Sequence, residues 1–372
     1  MTVNIGVNTI RMIVLGGIYM NFYMSIFFRL VPLLMGAICL GYGFYVNALK
    51  ETVGTGYIVA GHVLIALTAI CIALFTTAAT IIRQLIKRYN NFYKFALPIL
   101  GYLVSVCTII YGIYFWRINL DNPSSFVSGN IIFAVGLISC CVSTVATTST
   151  KFVLITQNEA TLQEGERPKE CFSDLQVKVL GSIPIICTIV ALIRGFYLLM
   201  NESKTPYFVA GHVVLGIALI CASLIALVFS ILRQIQNKFT NKERYKWTLF
   251  VILMGTIDII WGIVVLVIRN TDAWIAPGFV LIGLGLVCYS ISSKVVLLAA
   301  VWRKTCSISN RIPLIPVVTA LTCLFLSAFL FEAAVFNPAY FVPARVMVGL
   351  GGVCFTLFSI VSILESGTAN VN

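Results

Sequence analysis

The sequence predicts an all-α, polytopic transmembrane bundle of about ten helices, arranged as five helical-hairpin repeats. Three observations carry this. First, 60% of the 372 residues are hydrophobic and only 10% are charged, with mean hydropathy +1.01; a soluble domain carries roughly 25% charged residues to cover its wet surface. Second, apolar runs of about 20 residues recur through the chain, the length that crosses roughly 30 Å of hydrocarbon as helix. They do not alternate in polarity, as the strands of a membrane β-barrel would. Third, Tyr57-Ile58-Val59-Ala60-Gly61-His62-Val63 returns as Tyr207-Phe208-Val209-Ala210-Gly211-His212-Val213, and these two copies hold both histidines of the protein. Weaker copies lie at 125–130, 274–279 and 340–345, so the five stand roughly 66 to 82 residues apart, which is the signature of an internal repeat.

The elements follow in order. Residues 1–19 stand outside the repeat and read as an N-terminal extension, without the small-residue cleavage site of a signal peptide. Each unit is then a hairpin of two helices, A and B. Helix A is expected to open near a proline (Pro32, Pro98, Pro184, and Pro313 with Pro316), because proline is tolerated in a first helical turn. It closes near a glycine flanked by aromatics, as at Gly43-Phe44-Tyr45, Tyr111-Gly112, Gly195-Phe196-Tyr197 and Trp261-Gly262. Short turns rich in Asn, Asp and Ser follow. Helix B starts at the repeated motif, whose opening Tyr57, Tyr207, Trp274 and Tyr340 suit the interface belt. The ten spans are expected near 30–48, 57–82, 95–116, 126–150, 178–200, 208–232, 247–268, 275–302, 313–335 and 341–364. A loop over 152–177 divides units one and two, residues 20–151, from units three to five, residues 178–372.

Charge sets the orientation. Sixteen Lys and Arg residues lie between units, among them Arg83, Lys151, Arg233 and Arg303; four (Lys50, Arg117, Lys204, Arg269) lie in the turns within hairpins. The positive-inside rule therefore puts the inter-unit loops and both termini in the cytoplasm. This placement also explains the net charge of +12 without a nucleic-acid partner. Ten of the twelve cysteines fall inside apolar runs, where a thiol packs as a small hydrophobe. No CxxC and no zinc-like Cys/His spacing is present, and no cofactor is implied. The partner is membrane lipid, with a homo-oligomer also open.

Counting helix B from the histidine position, small residues recur four residues on (Ala66, Ala134, Gly216, Gly283, Gly349). A second stripe joins Gly61, Gly129, Gly211, Gly278 and Ala344 to the small residues seven positions later. Small stripes let helices approach closely in lipid, so the bland reading of the motif is packing. The sharper reading rests on the five equivalent positions, His62, Asn130, His212, Phe279 and Arg345, four of them polar. With Arg194 and Glu332 from A helices at similar depth, they are expected to form a polar layer near the outer face. Histidine titrates near pH 6.5, so such a layer would change charge as the outside acidifies. Deeper, Asp258 and Lys294 fall on adjacent antiparallel helices within roughly 4–5 Å of the same depth. They read as an intramembrane ion pair or a relay.

No GxSxG, HExxH, P-loop or dinucleotide fingerprint occurs, so no catalytic residue is assigned and the chain does not read as an enzyme. From about Met20 onward it resembles the YhiM family of enterobacterial inner membrane proteins. The residues that carry this are the two Val-Ala-Gly-His-Val copies, Trp302-Arg303-Lys304-Thr305-Cys306-Ser307, Asn310-Arg311-Ile312-Pro313 and Val348-Gly349-Leu350-Gly351. The resemblance implies a plasma-membrane protein associated with survival at low pH, and it brings no catalytic residues. The expected function is a channel-like or transporter-like protein serving acid or envelope stress. The alternatives are a membrane factor that organises lipids or partner proteins, and, more weakly, a lipid-modifying enzyme.

Overall fold

The structure, a computed structural model, describes residues 27–49, 56–85, 88–118, 122–158, 171–201, 204–268, 271–301 and 312–369. The expected extension at 1–19 and most of the loop between units two and three lie outside the described residues. Ten helices long and apolar enough to cross a membrane are present among them. They are α1 Phe27–Ala48, α2 Gly56–Leu85, α3 Asn91–Ile118, α4 Pro123–Asn158, α5 Asp174–Leu199, α6 Thr205–Ile235, α7 Asn241–Val267, α8 Ile275–Val301, α9 Leu314–Phe336 and α10 Phe341–Ala369. The five-hairpin reading holds, with the odd helices as A and the even helices as B.

The two kinds of helix occupy two concentric layers. Of each span's most apolar window, 61–89% is buried in the even helices but only 22–39% in the odd ones. The even helices pack in a closed ring, α2 on α4, α4 on α6, α6 on α8, α8 on α10 and α10 back on α2. From α3 onward, each odd helix lies outside, against its own hairpin partner and the preceding ring helix. Helix α1 closes the circuit, with Phe28 edge-on to Phe358 of α10 at 5.7 Å and Met35 and Cys39 beside Gly352. Large side chains such as Ile193, Phe325 and Leu321 point outward. In a bilayer that perimeter meets acyl chains, so its exposure is solvation in lipid.

Both small-residue stripes are packing surfaces, each with its own neighbour. The stripe four residues past the motif position joins ring helices: Gly216 faces Leu281 and Leu284 of α8, Gly283 faces Met347 and Leu350 of α10, and Gly349 faces Leu64 and Leu67 of α2. That last contact joins the fifth unit to the first. The other stripe seats each ring helix on its own outer helix. A Cβ on Gly112 would meet the Phe133 backbone nitrogen, with Phe133 Cα at 2.8 Å and Gly129 O at 2.9 Å; one on Gly262 would stand 2.6 Å from Gly278 O. These are backbone atoms with nowhere to go, which is why the aromatic-flanked position in helix A is glycine.

Four boundary expectations need correction. Pro98 and Pro184 lie inside α3 and α5 rather than in their first turns. Polar residues ahead of each proline begin the helix sooner: Ser173 and Gln176 form a capping box at α5, and Asn90 Oδ1 accepts from Tyr93 N at α3. The same device, Thr240 with Glu243, starts α7 at Asn241 instead of near 247. Helix α4 likewise continues past 150 to Asn158. At the loop end, Gln84 Nε2 donates to Ser149 O of α4 at 2.8 Å and Gln234 Nε2 to Leu298 O of α8 at 3.3 Å, tying neighbouring ring helices at equivalent points.

Candidate functional site

Each ring helix turns an aliphatic row toward the common axis. Counted from the motif position, the row falls one, five, eight and twelve residues on, with a fifteenth in three helices, and the five rows line one narrow cavity. Steps of four and three are the spacing of a helix that keeps one seam toward its partners. The layer nearest the hairpin end is Val63, Ile131, Val213, Val280 and Val346; the middle one is Ile70, Ile138, Ile220, Val287 and Val353. The first to fifth positions span 14 residues, about 21 Å of helix. The cavity leaves about 50 Å³ for the centres of water-sized spheres. One water needs roughly 10–15 Å³ by that measure together with two to four polar partners. The cavity has room and lacks the partners, so its aliphatic length is a dry constriction.

One lining side chain is charged. Lys294, in the fifth layer of α8, is 1% exposed and borders the cavity. Its register equivalents are Thr77, Val145, Leu227 and Ile360. Asp258 does not pair with it. The ion pair present among the described residues joins Arg233 to Glu243 at the loop end. Asp258, 1% exposed on α7, has neither carboxylate oxygen hydrogen-bonded. It lies beside Gly216 of α6, 3.1 Å from where a Cβ there would stand, and near Cys288 of α8. The expectation of a pair thus fails on depth and on direction. Gly255 and Gly262 of α7 cross α8 at Gly285–Cys288 and at Gly278–Ile282, so Asp258 lies about 15 Å of helix from the level of Lys294. Lys294 also faces the axis, while Asp258 faces the outside of the ring. Asp258 precedes Gly262 by four residues, as Cys39 precedes Gly43; Cys39 faces Cys71 of its own hairpin just as Asp258 faces Cys288.

The polar layer expected from the motif does not assemble. The four polar motif positions point away from the axis, each into the seam between its ring helix and an outer helix of the next unit, while Phe279 meets Tyr340 just before α10. Asn130 of α4 meets Arg194 of α5, whose Nε donates to Asn130 Oδ1 at 2.8 Å and whose guanidinium covers Trp116 at 4.4 Å. His62 lies 4.6 Å from the Phe115 ring of α3 and shares with Tyr111 a groove of about 320 Å³. His212 sits between Phe208 at 4.2 Å and Trp261 of α7 at 5.9 Å. Arg345 lies 3.4 Å over Phe341 and faces Tyr42 and Tyr45 of α1, completing the series across the last seam. Each histidine donates from Nδ1 to the carbonyl four residues back, Ile58 O at 2.8 Å and Phe208 O at 2.9 Å. The structure therefore joins Asn130 with Arg194 and leaves His62, His212 and Arg345 in separate seams. Glu332 is exposed near the end of α9 and joins none of them.

Sequence reasoning missed the axial row. Its signal was available as aliphatic residues at alternating steps of four and three from the motif, and it was masked because B helices are apolar on every face.

The family described as "Protein of unknown function (DUF2776)" matches residues 20–369. The chain is 50% identical over 353 residues, 94% of its length and 99% of the relative's, to "Inner membrane protein YhiM" of Escherichia coli (strain K12). No solved structure matches.

Proposed function

This chain belongs to the DUF2776 family of unknown function, and from that premise we propose that it is a gated channel of the bacterial inner membrane, conducting along the ring axis. The observation that carries this is the closed ring of five helices whose inward rows line one continuous, narrow, aliphatic cavity. Apolar constrictions gate pores by excluding water, and slight widening lets water and ions in. One chain supplies all five ring helices, so the reading requires no oligomer, no cofactor and no enzymatic step. The loop end and both termini are assigned to the cytoplasm on the basic residues of the inter-unit loops.

The link to acid or envelope stress enters through the seams. His62 and His212 stand where ring helices abut outer helices of the next unit. A charge gained there changes how the ring is braced without entering the path. Histidine is the side chain whose ordinary titration lies in the relevant range. The dryness of the axis also supports a second reading, in which the ring is a scaffold that organises lipid or partner proteins. Ion flux from proteoliposomes holding the full chain, measured with and without a pH gradient, separates the two. The channel reading expects flux above empty vesicles that rises with outside acidification; the scaffold reading expects none at any pH.

A further inference from the structure

We infer that Lys294 is the seat of a small monovalent inorganic anion, of the halide class, held on the ring axis at the loop-end limit of the aliphatic constriction.

Three observations converge on this. Lys294 is fully buried yet borders the axial cavity, and no hydrogen bond or ion pair to it occurs among the described residues. An ammonium taken out of water at membrane depth requires a partner, and none is present among the described residues: of the ring helices only α10 carries an acid, Glu365, five residues past the register equivalent of Lys294. Asp258, the one buried acid among the described residues, packs beside Gly216 at the level of Leu281 and Leu284, well toward the hairpin end from Lys294, and faces the outside of the ring.

The sign of the surroundings comes from the loops and not from the neutral polar side chains. Thr77, Thr148 and Ser230 donate to carbonyls of their own helices, and Gln84 and Gln234 each donate from Nε2 to a neighbouring ring helix. Toward the loop end the equivalent positions turn polar and neutral, with Thr77 at the level of Lys294, then Thr80, Thr148 and Ser230, then Gln84 and Gln234. Beyond them the inter-unit loops carry an excess of basic residues, although the loop between units two and three also holds Glu159, Glu164, Glu166 and Glu170; a net positive rim attracts anions. Size narrows the class. The cavity is narrow along its aliphatic length and lined by side chains of all five ring helices, which favours a small inorganic ion over a large organic one.

The transport consequence, anion over cation selectivity, rests on the channel reading; the binding site does not. The test therefore has two arms on the full chain. In detergent, the unfolding midpoint is measured in sodium chloride against sodium gluconate at equal ionic strength. Wild type is expected to be stabilised by chloride, Lys294→Arg to keep most of the shift, and Lys294→Met to lose it. Should Lys294→Met not purify, Lys294→Gln gives the same comparison. In liposomes, the chloride-to-sodium permeability ratio is expected to fall at least tenfold in Lys294→Glu. A chloride shift lost in Lys294→Met together with absent flux supports the site and removes the channel. No chloride shift in wild type, or an undiminished shift in both Lys294→Met and Lys294→Gln, overturns the site. So does robust flux whose selectivity ignores Lys294→Glu.

Discussion

Arg194 on α5 donates through Nε to Asn130 Oδ1 on α4 at 2.8 Å, and this bond crosses the boundary between the second and third hairpins. Asn130 is fully buried and spends its own Nδ2 on Phe126 O. Arg194 stands at the helix-A position that Tyr42, Tyr111 and Trp261 hold elsewhere, one residue before the glycine. This position is thus a charged donor in the third unit where three other units carry an aromatic ring and the fifth carries Leu326.

Interhelical hydrogen bonds in lipid average about 0.6 kcal/mol and reach about 1.7; a charged donor to a buried acceptor belongs near the top of that range. A double-mutant cycle of Asn130→Ala and Arg194→Ala, read by unfolding in detergent, is expected to give a coupling of about 1–1.7 kcal/mol. Additive effects would place the energy in the stacking of Arg194 on Trp116 instead.

Gly112→Ala and Gly41→Ala form a matched pair. The first inserts a methyl against Phe133 and Gly129 backbone, the second into open space. Overpacking costs about 1–3 kcal/mol, so Gly112→Ala is expected to lower stability by about that much. Gly41→Ala is expected to be neutral or slightly stabilising through helix propensity, by up to about 1 kcal/mol. Thermal unfolding of the two variants side by side is the check. Equal effects would mean the hairpin crossing is not as close as described.

Asp258→Asn and Lys294→Met are expected to act independently, adding within about 0.5 kcal/mol, because the two side chains face different sides of the ring. A strong coupling, or rescue of a single variant by the charge swap, would restore the ion-pair reading.

His62→Gln and His212→Gln are expected to blunt the acid dependence of flux, and the double variant to remove it, while leaving flux at neutral pH within about twofold of wild type. That pattern is expected because neither ring lines the axis. An unaltered acid response in the double variant would detach proton sensing from the seams.

How much of this was legible in the sequence depends on which coordinate is asked for. Position along the membrane normal was largely readable: the Tyr-to-His motif, the inter-hairpin turns and the basic loops placed the ten spans within a few residues, apart from helix starts governed by caps such as Ser173 and Thr240 and the end of α4, which runs on to Asn158. Azimuth was not. His62, Asn130, His212 and Arg345 share a register position, so they were expected to meet; they point into separate seams because the axial side of each B helix belongs to the row that begins one residue later at Val63. In a soluble protein polar and apolar faces would have revealed this rotation. Here Ile and Val serve equally at the axis, in the ring contacts and toward lipid, so composition carries no azimuth. Lys294 was the exception, a lone charge in the axial row, but it was matched to Asp258 by a count from the helix ends that the crossing of α7 on α8 does not bear out.

The most direct test of the central claim is to wet the middle layer. Ile138→Ser and Ile220→Ser put hydroxyls into the narrow axial cavity without altering the seams or the basic loops. Proteoliposomes carrying the double variant are expected to show chloride flux at neutral pH at least tenfold above wild type. Flux no greater than that of empty vesicles, from a variant that folds and inserts as wild type does, would contradict conduction along the axis.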